Sequence, residues 1–365
     1  MKLTAKIKLQ PNNEQHQALV DTVKVANAAC DYISQVAWDS KTFGKFKIQK
    51  LVYHEVKEKF GLTAQVVIRC IAKVTDAYKL DKKTKRTFSE FGAIPFDDRI
   101  LKYWLDKKTV SIWAIGGRQK VSFVAGPRQL ELLQTRKGES DLCLIDGKFY
   151  LFATCDVEEG TPADVTDVLG VDLGIVQIAS DSDGEQFSGA KVKSVRKRRL
   201  RQRKRLQKKG TKAAKRVLRK IKRKESRFAK DVNHQISKRI VEKAKRTGQA
   251  IALEDLKGIR DRIRARKSQR YTLHSWSFFD LIEKIKYKAK LAGVLVVMID
   301  PRNTSKTCSS CGHCCKSNRK TQSEFLCVSC GFSANADANA AKNISVLGWA
   351  AVNQPNVSTM GAVAS

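Results

Sequence analysis

Cys308-Ser-Ser-Cys311-Gly312 is answered by Cys327-Val-Ser-Cys330-Gly331, and Ala336-Asp337-Ala-Asn-Ala-Ala-Lys-Asn343-Ile344 follows. Two CxxC pairs separated by fifteen residues match the spacing of a tetrahedral four-cysteine zinc site. The glycine after each pair suits a knuckle whose backbone N–H groups donate to the thiolates. Cys308, Cys311, Cys327 and Cys330 are the candidate ligands because they alone form paired knuckles. His313, Cys314 and Cys315 lie near enough in sequence to substitute for one of them. Asp337 stands where a helix would begin. A metal module beside a lone carboxylate in a very basic chain points toward nucleic acid.

The basic character is extreme, a formal net charge of +35 over 365 residues. Such a surplus opposes compaction and favours a polyanionic partner. A hydrophobic fraction of 42% excludes a wholly disordered chain and allows two or three domains. The longest apolar run, residues 294–299, is strand-sized and far too short to span a membrane. Residues 1–10 lack the apolar core of a signal peptide, so a cytoplasmic protein is expected. In that compartment cysteines serve metals or cores rather than disulfides. Cys30, Cys70, Cys143 and Cys155 are read as ordinary buried thiols.

Alternation of Leu3, Ala5, Ile7 and Leu9 predicts a half-buried first strand. From Glu14 to about Leu80 the apolar spacing becomes helical. Strand signals return from Phe91 to Val157, with a hairpin at Asp146-Gly147 whose composition suits a primed turn. This pattern fits a β-barrel or sandwich with a helical insertion after its first strand. Residues 158–162 read as a linker. Beyond it, residues 168–180 read as a strand. Between Lys191 and Lys230 lie 22 Lys or Arg against one acid, Glu225. Gly210-Thr211 is expected to divide this run into two helices, the second with an apolar stripe of Val217, Ile221, Phe228, Val232, Ile236 and Ile240. A density this high points to phosphate binding. Residues 249–253 and 294–299 read as further strands, residues 276–292 as an amphipathic helix, and residues 354–365 as a disordered tail. Trp38, Trp104, Trp113, Trp276 and Phe278 are assigned to the core, while His234 and His274 find no role.

Three carboxylates stand out. Asp172 interrupts the apolar strand Gly170-Val-Asp-Leu-Gly174, Glu254 closes Ile251-Ala-Leu-Glu-Asp255, and Asp337 opens a helix. Acids in apolar strands are costly unless paired or metal-bound. Taken singly, each is more often a strand-end or capping residue, and Glu254 could pair with the basic helices. In this order, however, Gly-Val-Asp-Leu-Gly, Leu-Glu-Asp-Leu and Asp-Ala-Asn-Ala-Ala-Lys-Asn-Ile resemble a RuvC-type RNase H fold. With the cysteine module before the third acid, and with Tyr287-Lys-Ala-Lys-Leu-Ala-Gly293 and Asp300-Pro-Arg-Asn-Thr-Ser305, the chain resembles the TnpB (OrfB) proteins of bacterial insertion sequences. These are relatives of the compact type V CRISPR effectors. The likeness is strong over residues 168–347 and weaker around Lys6-Ile-Lys-Leu-Gln-Pro11.

The resemblance implies an α/β multidomain protein. An N-terminal β-barrel (the wedge, residues 1–12 and 89–160) would carry a helical recognition insertion (13–88). A RuvC-like nuclease (161–304 and 335–350) with basic helices at 191–247 would carry an inserted four-cysteine zinc ribbon (305–334), before a disordered tail (351–365). It implies an RNA-guided DNA endonuclease with one cutting site, beside a transposon-adjacent motif. Asp172, Glu254 and Asp337 would be both catalytic residues and ligands of two Mg²⁺ (or Mn²⁺) ions, and Cys308, Cys311, Cys327 and Cys330 would hold one structural Zn²⁺. The implied partners are a guide RNA from the transposon end and double-stranded target DNA, with no membrane and a monomer favoured. The rivals are a miniature type V CRISPR effector, a non-cutting RNA-guided repressor and a protein-only transposition accessory.

Overall fold

The computed structural model describes residues 1–162, 164–256 and 278–354 and divides at the expected linker into two units, Met1–Glu158 and Glu159–Ser365. Trp276, His274 and residues 355–365 lie outside the described residues, while residues 351–353, expected to begin a disordered tail, are helical.

The first unit is built on β1 (Lys2–Gln10), β2 (Ile94–Phe96), β3 (Leu101–Trp104), β4 (Thr109–Ala114), β5 (Gly117–Val124), β6 (Arg136–Ile145) and β7 (Lys148–Asp156). They pair antiparallel in the order β2-β6-β7-β1-β5-β4-β3. Laid flat, six gaps of about 4.8 Å would separate the edge strands by roughly 29 Å. Yet β2 and β3 are joined by residues 97–100 alone, a link that reaches at most roughly 18 Å. The sheet therefore curls until it is nearly closed. The β6–β7 turn has Asp146 at φ 51° and Gly147 at φ 74°, the positive pair that a type I′ hairpin requires.

The helical stretch after β1 resolves into α1 (Asn13–Asp39), α2 (Lys45–Phe60) and α3 (Ala64–Leu80). Asn12 starts α1 with a capping box, its side chain accepting from the Gln15 N–H while the Gln15 side chain accepts from the Asn12 N–H. Gly61, at φ 60°, ends α2. Leu19, Val23, Ala26, Cys30 and Ile33 of α1 join Val66, Cys70, Ile71 and Val74 of α3 in one core with the inward residues of the sheet. A short helix, α4 (Pro127–Gln134), was not expected from sequence; its proline sits at the first turn, where no N–H is needed. Cys30, Cys70 and Cys155 are buried, whereas Cys143 is half-buried. Trp38 and Trp113 lie partly buried against the core. Trp104 is half-exposed with the Lys120 ammonium 5.7 Å from its ring centroid, a departure from its assignment to the core.

The second unit has a five-stranded sheet of β8 (Asp167–Asp172), β9 (Gln177–Asp181), β10 (Gln186–Ser188), β11 (Gln249–Glu254) and β12 (Val296–Ile299), in the order β10-β9-β8-β11-β12. β8, β11 and β12 are parallel, while β9 and β10 return antiparallel. Its helices are α5 (Ala190–Lys209), α6 (Lys212–Ile221), α7 (Lys224–Thr247), α8 (Phe278–Ala292) and α9 (Ala336–Asn353). Successive residues of a strand face opposite sides, and both sides here are covered. Leu169, Val171, Ile251 and Leu253 pack with Ile236, Ile240, Leu281 and Ile285 of α7 and α8. Val168, Ala250, Ala252 and Ile299 pack with Ile344 of α9. A two-stranded ladder, β13 (Glu324–Leu326) with β14 (Ser333–Asn335), lies within the cysteine segment. Among the described residues no helix is long and apolar enough to cross a membrane.

Three expectations are corrected. Residues 168–180 form two strands, because the chain turns at Gly174, where a Cβ would meet the Gln177 carbonyl at 2.7 Å. The basic run forms three helices rather than two, with a second break at Lys222–Arg223, where Arg223 adopts φ 63°. That break interrupts the expected stripe, so Ile236 and Ile240 are buried on α7 while Val217 on α6 stays exposed.

Candidate functional site

Asp172 and Glu254 are the last residues of two adjacent parallel strands. Val171 is level with Leu253, which puts the two acids side by side. Their facing follows from the alternation. Gly170 and Ala252, two residues earlier on each strand, both point at α9: a Cβ on Gly170 would meet the Ala341 carbonyl at 2.1 Å, and one on Gly348 would meet Ala252 Cβ at 2.5 Å. Asp172 and Glu254 therefore project from the α9 side, at the carboxyl ends of the strands, where open α/β sheets bind ligands.

Asp337 comes to the same end from the helix. It lies one turn before Ala341, the residue seated on Gly170, and the Ser345 hydroxyl donates to the Val168 carbonyl at 2.6 Å. The helix thus runs against the direction of β8 and brings its first turn over Asp172. Asn335 caps it, accepting from the N–H groups of Asp337 at 3.0 Å and Ala338 at 3.2 Å. The two glycines make this contact possible, since any side chain at either would lift the helix off the sheet.

The electrostatics register the convergence. Burial, then the charges of Glu254 and Asp337, push the Asp172 carboxyl up to about 7, against the pull of Arg319 and the Leu173 N–H. Burial also raises Glu254, opposed by the Thr304 hydroxyl, which donates to its Oε1 at 2.5 Å. Burial raises Asp337, opposed by Arg319, whose Nη2 lies 3.6 Å from Oδ1. The contrast with Asp181, level with Val171 on β9, is instructive. Asp181 is buried but answered, with Lys243 Nζ at 2.6 Å and the N–H groups of Asp183 and Glu185 donating to Oδ1. Asp172 forms no ion pair among the described residues. A carboxylate trio left this way, with only oxygen ligands, suits a hard divalent cation.

The structure brings Cys308, Cys311, Cys327 and Cys330 together, with ligand atoms all within 4.8 Å of one another. Among the described residues this is the one such group of metal-ligating side chains; the three carboxylates are more loosely gathered. Cys308 and Cys330 sulfurs are 3.8 Å apart and those of Cys311 and Cys327 3.6 Å. Backbone N–H groups of Cys330 and Ser329 hold the Cys327 thiol down at about 6. Outside the group, Cys315 bonds the Ser317 hydroxyl at 2.9 Å and Cys314 is exposed. His313 contributes its carbonyl to the Cys308 N–H. The module is fastened to α9 by two asparagines. Asn339 accepts from the Ser309 N–H and donates to the Thr307 carbonyl, while Asn343 donates to the carbonyls of Thr304 and Thr307.

The one acid in the basic run ties two of its helices together, since Glu225 of α7 receives Arg196 at 3.8 Å and Arg203 at 3.3 Å from α5. Cations of this run line clefts of about 450 Å³ and 1020 Å³, with the Glu225-paired Arg196 and Arg203 beside Arg199 in the first and Lys193, Lys197 and Arg201 in the second. Sequence reading assigned no role to Arg319, Thr304, Asn339 or Asn343. Thr304 and Arg319 lie in the polar segment that follows β12, and Asn339 and Asn343 in the motif that begins at Asp337.

Residues 152–258 match the family model described as "Probable transposase" and residues 278–344 the model "Cas12f1-like, TNB domain". The chain is 35% identical over 54% of its length to a CRISPR-associated endodeoxyribonuclease Cas12f1 of Sulfoacidibacillus thermotolerans, covering 50% of that protein. It is 28% identical over 56% of its length to the putative RNA-guided DNA endonuclease InsQ of Escherichia coli K12, covering 55% of it. The chain thus spans about half the length of these curated relatives. Its fold is similar to that of Cas12f1 in a complex with sgRNA and target DNA, at a TM-score of 0.63 and 16% identity over 92% of this chain and 83% of that one. It is also similar to the mini-RNA-guided endonuclease CRISPR-Cas_phi3, at a TM-score of 0.59 and 11% identity over 95% and 92% of the two chains. Over these stretches the chain is similar both to TnpB-like proteins and to compact CRISPR-associated endonucleases.

Proposed function

We propose that this chain is an RNA-guided, divalent-metal-dependent DNA endonuclease, cutting beside a short transposon-adjacent motif with a single RuvC-type site. The observation that carries the proposal is the convergence of Asp172, Glu254 and Asp337 on the α9 side, at the carboxyl ends of two parallel strands. A sheet whose hairpin strands β9 and β10 flank parallel β8, β11 and β12 supports a RuvC-like RNase H reading of residues 161–304 and 335–350. The nearly closed sheet supports the wedge reading of residues 1–12 and 89–160, and the helices between them the recognition reading of 13–88.

Two Mg²⁺ or Mn²⁺ ions, when bound by these carboxylates, supply an activated water and neutralise the leaving oxygen of an in-line phosphodiester displacement. The residues themselves do the positioning. Asp172 and Glu254 offer their carboxylates from a sheet packed on both sides, so their spacing is fixed before any ligand arrives. Asp337 closes the set from a capped helix, and Arg319 puts a guanidinium at its edge, where a phosphate would approach. The four cysteines fit one structural Zn²⁺: ligands at about 2.3 Å in a tetrahedron stand about 3.8 Å apart, against the 3.8 and 3.6 Å observed. Helices α5 to α7 offer the cationic surface for guide RNA and target DNA. The guide would come from the transposon end, base pairing reading the sequence and the protein reading shape.

The test is to express the gene with its downstream flank, sequence the RNA that copurifies, and challenge the complex with a plasmid library randomised beside the target. A discrete RNA and depletion of one motif are expected, with Asp172→Ala abolishing cleavage while keeping binding. No RNA and no depletion would overturn the proposal. The identity to Cas12f1 favours a second reading, a miniature effector served by a CRISPR array, in which case the copurifying RNA would carry repeat sequence.

A further inference from the structure

The carboxylate that completes β11 is held from behind. Thr304 is 4% exposed, in the segment between β12 and the cysteine module, and its hydroxyl reaches Glu254 Oε1 at 2.5 Å. The next acceptor, the Pro301 carbonyl, is at 3.1 Å, so the one hydroxyl proton goes to the carboxylate. The backbone of Thr304 is in turn fixed by α9, because buried Asn343 donates through Nδ2 to the Thr304 carbonyl at 2.8 Å and the Thr307 carbonyl at 2.7 Å. Asn339, fully buried one turn earlier, holds the Thr307 carbonyl and the Ser309 N–H. A continuous chain of bonds therefore runs from the helix that carries Asp337, through Thr304, to Glu254.

We infer that Thr304 is a positioning residue for Glu254, its hydroxyl occupying Oε1 and leaving Oε2 to face the pocket, with Asn343 setting where that hydroxyl stands. The inference rests on the nuclease reading above. A free carboxylate rotates about its last torsion and samples several ways of presenting two oxygens. One bonded donor selects among them, and such partners of metal-binding carboxylates typically affect metal affinity by about 10–100-fold. Tying Thr304 to α9 also sets the position of Glu254 relative to Asp337 by one short network.

The test compares Thr304→Val, which keeps the shape and loses the hydroxyl, with Thr304→Ser, which restores it. Mn²⁺ is titrated calorimetrically into the full chain, with Asp172→Ala as the background. Thr304→Val is expected to weaken the Asp172-dependent Mn²⁺ binding by about 10-fold or more, and Thr304→Ser to bind within about threefold of the unmodified chain. If Asp172→Ala binds Mn²⁺ as the unmodified chain does, the nuclease reading falls. If Asp172→Ala loses binding while Thr304→Val keeps it, only the role of Thr304 falls. Equal losses in the valine and serine variants would also overturn that role, since the hydroxyl would then not be the cause. Should Thr304→Val not fold, Thr304→Ala gives the same readout.

Discussion

The acid pocket and the cysteine cluster flank the start of α9, and their construction is opposite. The cysteines come from one short segment, two hairpin knuckles that bring four sulfurs within 4.8 Å. The acids come from two strands and a helix far apart in the chain, and they repel one another across a partly buried space. The first arrangement is made by local turns and would be completed by the zinc ion proposed for it. The second is imposed by the packing of a whole sheet and helix, so it exists before any ion arrives. A cluster of the first kind should fall apart without metal, whereas a pocket of the second kind should hold its shape and be strained.

The largest expected effect is loss of the zinc proposed for the cysteine cluster. Cys311→Ser together with Cys330→Ser should abolish zinc retention, measured by elemental analysis, and remove a local stabilisation on the order of 10 kcal/mol. Amide hydrogen exchange should then speed up across residues 305–335 while β8 and β11 remain protected. Unchanged protection of residues 305–335 would mean that the module folds without its ion and that the contrast is false.

The strain in the acid pocket is smaller and has a definite sign. Asp172 moves from its ordinary 3.8 up to about 7 in the fold. Below about pH 4 the folded and unfolded chains are both protonated and the shift has no effect. As pH rises toward 7 the unfolded chain releases this proton and the folded chain keeps it, so stability of the metal-free protein falls across that window and stays low above it. Asp172→Asn should accordingly stabilise the metal-free protein at pH 8, on the order of 4 kcal/mol at most, and change little at pH 4. Urea denaturation at the two pH values checks this, and a variant no more stable than its parent at pH 8 would break the picture of a preformed, repulsive site.

The smallest effect belongs to the cap that aims the third acid. Asn335→Ala removes the acceptor for the N–H groups of Asp337 and Ala338 and should cost about 1 kcal/mol in thermal unfolding. Because the cap sits at the junction of the two sites, the same variant should lower zinc retention far less than the cysteine changes do.

The same contrast explains what could be read from sequence. Four ligands in two short spacings declare themselves, because the chemistry and the geometry lie in one stretch. Asp172, Glu254 and Asp337 were legible only through a family likeness, since nothing local says that β8 and β11 pair in parallel with these residues level. The first strand and the Asp146-Gly147 turn were legible because alternation and positive φ are local demands. Gly174 was read as strand interior because apolar residues continue on both sides of it. Arg223 broke the basic run without glycine or proline to announce it. Thr304 and Arg319 act through partners that no periodicity marks.

The seating of α9 on Gly170 also sets an order of assembly. A ribosome that has made β8 and β11 has produced two of the three acids and a sheet face, Val168, Ala250 and Ala252, with nothing yet to cover it. That face stays sticky until the cysteine segment and α9 emerge, so this helix both hides the apolar surface and delivers Asp337. A nascent chain halted before α9 would then be aggregation-prone and would lack the third acid of the proposed site at the same moment, and completion of one helix would end both conditions together.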